Sequence, residues 1–257
     1  MGIYLLLFVA GASVGFLSGL LGLGGGILMF PILLYLPPAL GLGSIDVKSI
    51  TGLTMAQGFF ASLSAMLFYR SERLVNRPLV LTFGISLAAS SLVGSLLSKL
   101  VPDGPLLFIF AVLALIAAVM MLLPRRYGRD ELTEAEVSFN RPLAIAIGLG
   151  LGFFLGMVGQ GGAFITIPIL LYVLKVPLRV ALGSTLAIGV ISASAGLLGK
   201  VTTMQVQPLM AAAMLAGAIP MAWVGGAVGK RTETRHLKWL LALVISAAAL
   251  KIWLDIF

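Results

Sequence analysis

The chain has 257 residues, 60% of them hydrophobic and 10% charged, with a mean hydropathy of +1.13. A soluble domain cannot bury that much apolar surface, so lipid is the expected solvent for most of the chain. There is no cysteine, which excludes disulfides, thiol catalysis and cysteine-held metals. The net charge of +8 sits in short loops between apolar runs, and it reads as a topology signal, with no nucleic acid expected as a partner.

In chain order, the first apolar run spans Ile3 to Leu21 and lacks both a basic n-region and a small-residue cleavage site. It reads as a mature helix, not a signal peptide. Glycines separate it from a second arm, Ile27 to Leu36, and three plain spans follow: Val47 to Tyr69, Leu79 to Leu100 and Pro105 to Leu123. Each plain span approaches the ~20 residues that a bilayer core requires. Pro124 to Arg141 is rich in charges of both signs and reads as a cytoplasmic linker. The second half repeats the pattern with Pro142 to Val158, Ala163 to Leu174, Leu178 to Leu198, Val206 to Val228 and Leu237 to Phe257. One all-α integral membrane domain over 1–257 is expected, made of repeat one (1–123), the linker (124–141) and repeat two (142–257).

The duplication is legible residue by residue. FLSGLLGLGGGILMFPILLY from Phe16 aligns without a gap on FFLGMVGQGGAFITIPILLY from Phe153, with half of the positions identical. Such a doubled, glycine-interrupted hydrophobic stretch points to the binding site of a secondary transporter. Consecutive glycines (Gly24, Gly25 and Gly26; Gly161 and Gly162) weaken a helix and let a backbone approach closely, leaving free amides at the start of the next helix. Two such starts, at Ile27 and Ala163, form a cradle for an anion if they converge near the midplane. Gly11, Gly15 and Gly19, matched by Gly148, Gly152 and Gly156, recur at spacing four and read as helix packing instead. The run is not a Walker loop, because it lacks the lysine and hydroxyl residue.

Topology follows from the basic residues. If each broken segment crosses the bilayer once, the 17 lysines and arginines show no bias between the two sides. If both are re-entrant hairpins, all but Lys48, Lys99, Lys200 and Lys251 of the 17 share one face, as the positive-inside rule requires. The second arrangement is preferred: a glycine-broken re-entrant helix plus three transmembrane helices in each half, the halves inverted and both termini outside. The length of the first arm argues the other way.

The doubled G-x-G-G-(G/A) break before P-I-L-L, together with Gly52-Leu53-Thr54 and Gly183-Ser184-Thr185 near the starts of the following spans, resembles the TauE/SafE sulfite exporter family, also called the toluene sulfonate uptake permease family. The resemblance covers nearly the whole chain. It implies transport of sulfite, sulfonates, sulfoacetate or related small anions, with the glycine breaks and the paired Thr54 and Thr185 lining the path. Gln160 stands where an apolar residue is more typical in the family, and Ala163 replaces a third glycine.

Other candidates are weighed on their chemistry. Gln160 offers an amide donor to an oxyanion or to a neighbouring helix. Gln57 and Ser192 place polar groups within apolar spans, where hydroxyls usually bond their own backbone. Lys48 and Arg179 align and read either as entrance charges or as snorkelling anchors. His236 and the tryptophans read as interfacial, and Asp46 as a helix cap. No ionisable group is expected in the middle of a span, which disfavours a carboxylate relay. Export by uniport is therefore the expected mode, driven by an inside-negative potential worth ~2.3 kcal/mol per charge per 100 mV. An anion channel on the same scaffold is the alternative, and a membrane-embedded enzyme is a more distant one, since no nucleophile with a base is in sight. No cofactor or metal is expected. Ser90, Ser91, Gly94, Ser95 and Ser98 suit internal packing or a homodimer equally.

Overall fold

The computed structural model describes residues 1–22, 26–69, 75–122, 139–161 and 163–232, with residues 236, 239, 240, 243, 245–247, 250 and 253 beyond them. The described residues form helices and connecting turns, with no strand among them. The helices are α1 (Gly2–Leu21), α2 (Gly26–Ala39), α3 (Val47–Tyr69), α4 (Arg77–Leu97), α5 (Asp103–Leu122), α6 (Arg141–Met157), α7 (Ala163–Pro168, continued by a π-helical turn Ile169–Val173), α8 (Leu178–Thr202) and α9 (Pro208–Arg231). Among them α1, α3, α4, α5, α8 and α9 are long and apolar enough to cross a membrane.

Local chemistry sets the starts of several helices. Asn76 and Asn140 each precede Arg-Pro, and each side-chain oxygen accepts from the backbone N–H three residues on, Leu79 and Leu143 respectively. This is N-capping followed by a proline in the first turn, where its missing donor costs nothing. It explains why α4 begins two residues earlier than hydropathy suggests. At the opposite ends of α1 and α6, Gly22 and Gly159 adopt left-handed backbone with φ of 66° and 72°, which stops each helix.

Helix directions follow from the contacts. Gly11, Gly15 and Gly19 of α1 meet the backbone of Met214, Ala218 and Ala222, so α1 and α9 run parallel. The same contact is made again by Gly148, Gly152 and Gly156 of α6 on Phe83, Leu87 and Ser91, so α6 and α4 run parallel. Missing Cβ atoms let these backbones touch, the small-residue packing expected of membrane helices. Ser64 donates to the Ile219 carbonyl, and Gln207 at the head of α9 donates to Ser49, making α3 parallel to α9. Gly84 and Ser95 of α4 lie on Ile188 and Gly199, making α4 parallel to α8. Finally, α3 and α8 run antiparallel: Lys200 bonds Thr51, Met55 packs on Gly196, and Ser62 on Gly189. Two sets result, α1, α3 and α9 one way and α4, α6 and α8 the other.

The shorter helices α2 and α7 lean on α5. Phe30 of α2 stacks on Phe110 of α5 with ring centroids 4.3 Å apart, and Phe164 of α7 reaches the same ring at 6.2 Å. Trp253 donates to the Ala111 carbonyl of α5 at 3.1 Å.

Candidate functional site

The second break crosses between α3 and α8 at their middles. Gly159 packs against the Thr51 carbonyl in the first turns of α3, and its own carbonyl accepts from Thr54 Oγ1 at 2.8 Å. Two residues on, a Cβ at Gly161 would lie 3.6 Å from Gly58 and 3.4 Å from Ala193. The Gly161 carbonyl accepts from Ser192 Oγ at 2.9 Å. The peptide thus runs from the end of α6 towards the centre of the helix pair, with a hydroxyl from each of α3 and α8 fastening it.

The first break meets the second there. Gln160 Nε2 donates to the Gly26 carbonyl at 3.3 Å, and the Gln160 side chain occupies the space that a Cβ on Gly26 would need. At its other end Gly22 faces the Leu182 carbonyl at the start of α8, as Gly159 faces Thr51 at the start of α3. Gly24, Gly25 and Gly162 lie outside the described residues.

Several buried polar atoms around this crossing have no hydrogen-bond partner: both amide atoms of Gln57, Ser62 Oγ, Gln160 Oε1 and Thr185 Oγ1. Gln57 and Thr185 are fully buried, and Ser62 and Gln160 are 1% exposed. Ser62 abuts Gly189, Gln57 adjoins Gly58 in sequence, and Thr185 lies one turn before Gly189 on α8. Ser18 Oγ on α1 and Thr166 Oγ1 on α7 are also unpartnered. An unsatisfied buried polar atom costs about 1–3 kcal/mol, a cost that an ordered water or a polar guest among these groups would offset.

The remaining candidates have other partners. The hydroxyl of Thr54 serves the Ile50, Thr51 and Gly159 carbonyls, so it positions the break and has no proton left for a guest. Lys48 Nζ donates to the Lys99 carbonyl just past α4, and Arg179 to the Thr232 carbonyl just past α9, where each cation favours a helix C-terminus. Asp46 caps α3 through the Ser49 N–H, as expected.

One expectation fails. Lys200 does not lie in a loop beyond a span ending at Leu198, because α8 continues to Thr202 and Lys200 is fully buried. Its ammonium has four acceptors within hydrogen-bond distance for its three protons: Thr51 Oγ1 at 2.9 Å, Ser98 Oγ at 2.7 Å, the Met157 carbonyl at 3.0 Å and Gln205 Oε1 at 3.0 Å. These acceptors come from three helix ends and a turn that are far apart in sequence. Only the polar run Thr202-Thr203 with Gln205 after it hinted that the lysine was not a topology flank.

The sulfite exporter TauE/SafE family model matches residues 7–252. Similar curated proteins include YunE of Bacillus subtilis (strain 168), 24% identical over 94% of each chain. MJ0441 of Methanocaldococcus jannaschii is 25% identical over 95% of this chain and 93% of its own, and a Xylella fastidiosa (strain 9a5c) protein is 29% identical over the same shares. All three carry the name probable membrane transporter protein. No solved structure matches. The chain is a multi-pass membrane transporter and belongs to the sulfite exporter TauE/SafE family.

Proposed function

We propose that this transporter exports a small sulfur oxyanion of the sulfite, sulfonate or sulfoacetate type, bound at the midplane where the two glycine breaks meet. The observation that carries this reading is the set of unpartnered, buried amide and hydroxyl groups of Gln57, Ser62, Gln160 and Thr185 around Gly161 and Gly26. Amides and hydroxyls suit an oxyanion, since they donate hydrogen bonds without imposing a fixed charge. The groups at the crossing bind and do no bond chemistry, so the protein acts as a carrier and not as an enzyme.

The scaffold we propose for it is two inverted repeats with re-entrant α1–α2 and α6–α7 hairpins. Three relations support it. α1 contacts α9 as α6 contacts α4, residue for residue through the paired glycines. The equivalent helices α3 and α8 run antiparallel. And α1 shares the direction of α3 although only α2 lies between them, which requires α2 to return, as α7 must between α6 and α8.

Export is downhill for an anion leaving an inside-negative compartment, and among the described residues no carboxylate lies at the crossing to take up a coupling proton. The test is efflux of sulfite from proteoliposomes under a clamped potassium diffusion potential. An inside-negative potential of 100 mV is expected to accelerate efflux with no proton or sodium gradient present. Efflux that requires either gradient and ignores the potential would overturn uniport, and single-channel currents far above carrier turnover would favour a channel.

A further inference from the structure

Lys200 plays no part in the midplane site, yet it is the kind of group that membrane interiors rarely keep without a use. Its four partners are two hydroxyls, a side-chain amide oxygen and a main-chain carbonyl, all neutral. The nearby ends of α4 and α6 offset part of the charge through their dipoles. A buried ammonium held only by neutral oxygens has hydrogen bonds but no opposite charge, and such burial is costly.

The position of this ammonium is informative. Thr51 belongs both to the cage and to the second break, since its hydroxyl accepts from Lys200 and its carbonyl packs on Gly159. Met157, whose carbonyl takes the ammonium, ends α6 directly before the break. From the level of Gly58 and Gly161 to that of Thr51 is two turns of α3, about 10 Å. Lys48, bonded to the Lys99 carbonyl beside Ser98, adds a second positive charge at the same end. At the other end Leu182 stands in α8 where Thr51 stands in α3, and Gly229 in α9 where Ser98 follows α4, so among the described residues the two cage hydroxyls have no counterpart there. Among the described residues, the mouth away from the basic loops thus carries Lys200 in addition to Lys48, while at the other mouth Arg179 is the counterpart of Lys48.

We propose that Lys200 is a second, exit-side anion site, at which the departing oxyanion displaces Gln205 and the hydroxyls from the ammonium before release to the outside. This rests on the midplane reading for its direction, but the two sites are separable by experiment. Calorimetric titration of the full-length protein in detergent with sulfite is expected to resolve two sites. Lys200→Met should remove one and leave the other within twofold, whereas Gln57→Leu should remove the other. Lys200→Arg should keep both. Gln205→Leu removes a neutral oxygen that competes for the ammonium, so it should tighten the exit site at least threefold. If Lys200→Met keeps both sites unchanged, the exit site does not exist. If Lys200→Met does not fold, Gln205→Leu decides: an exit site lost or left unchanged there makes Lys200 a structural pin and overturns the proposal. A Gln57→Leu protein that still binds at two sites defeats the midplane assignment instead.

Discussion

Gln57 is a fully buried amide whose oxygen and nitrogen meet no hydrogen-bonding group of the protein, and burying such atoms without a protein partner costs free energy. Replacing it with leucine removes these polar atoms at similar volume, so Gln57→Leu is expected to stabilise the protein, measured without substrate, by about 1 kcal/mol. The same change should slow sulfite efflux at least tenfold. Thermal unfolding in detergent and vesicle efflux measure the two effects, and a variant that is both destabilised and fully active contradicts the role. Thr54 shows the limit of reading residues from sequence. It aligns with Thr185 and both were expected to line the path, but Thr54 spends its proton on backbone carbonyls while Thr185 is unpartnered. The partners of Thr54 are the Ile50 and Thr51 carbonyls of its own helix and the Gly159 carbonyl of a peptide 105 residues away, the last of which no local pattern announces. Lys200 was misread for a related reason: a lysine near a helix end looks the same in sequence whether it snorkels to water or turns inward.

At the scale of elements, glycines serve two purposes that substitution separates. Gly22 and Gly159 both end a helix in left-handed backbone, where a side chain costs about 1–2 kcal/mol. A Cβ on Gly22 would find the Leu182 carbonyl at 3.3 Å, whereas one on Gly159 would be driven into Thr51. Gly159→Ala should therefore destabilise clearly more than Gly22→Ala in thermal unfolding, and equal effects would argue against the contact. The packing glycines behave differently, because Gly19 and Gly156 carry the backbones of α9 and α4 directly. Gly19→Val and Gly156→Val are each expected to cost 2 kcal/mol or more, at about the upper range of overpacking, read as lost folded yield and a lower Tm. The spacing of these glycines in sequence already marked them as packing residues. The partners they pack on were not legible, since nothing in α1 specifies α9.

For the whole molecule, the directions of the helices give a topology that labelling can check. The natural absence of cysteine makes single-cysteine variants unambiguous. Gly43→Cys, Met204→Cys and Lys175→Cys all fall at exposed positions in turns. With re-entrant hairpins, Gly43→Cys and Met204→Cys should react with an impermeant maleimide from outside, and Lys175→Cys only from the cytoplasm. If each broken segment crosses the bilayer instead, Gly43→Cys and Lys175→Cys will share a side. The charge bias among loops predicts the first outcome, since only that path gathers the basic residues on one face.

By itself the sequence determined the solvent, the duplication, the breaks and the family, because hydropathy, glycine placement and repeated motifs are local properties written along the chain. Only the tertiary structure decided which broken peptide lies against which helix, which polar groups are left without partners, and that a lysine at the end of a span is buried in a cage of neutral oxygens. Those outcomes depend on contacts between residues more than a hundred positions apart, and hydrogen-bond satisfaction is a property of such neighbours rather than of the residue.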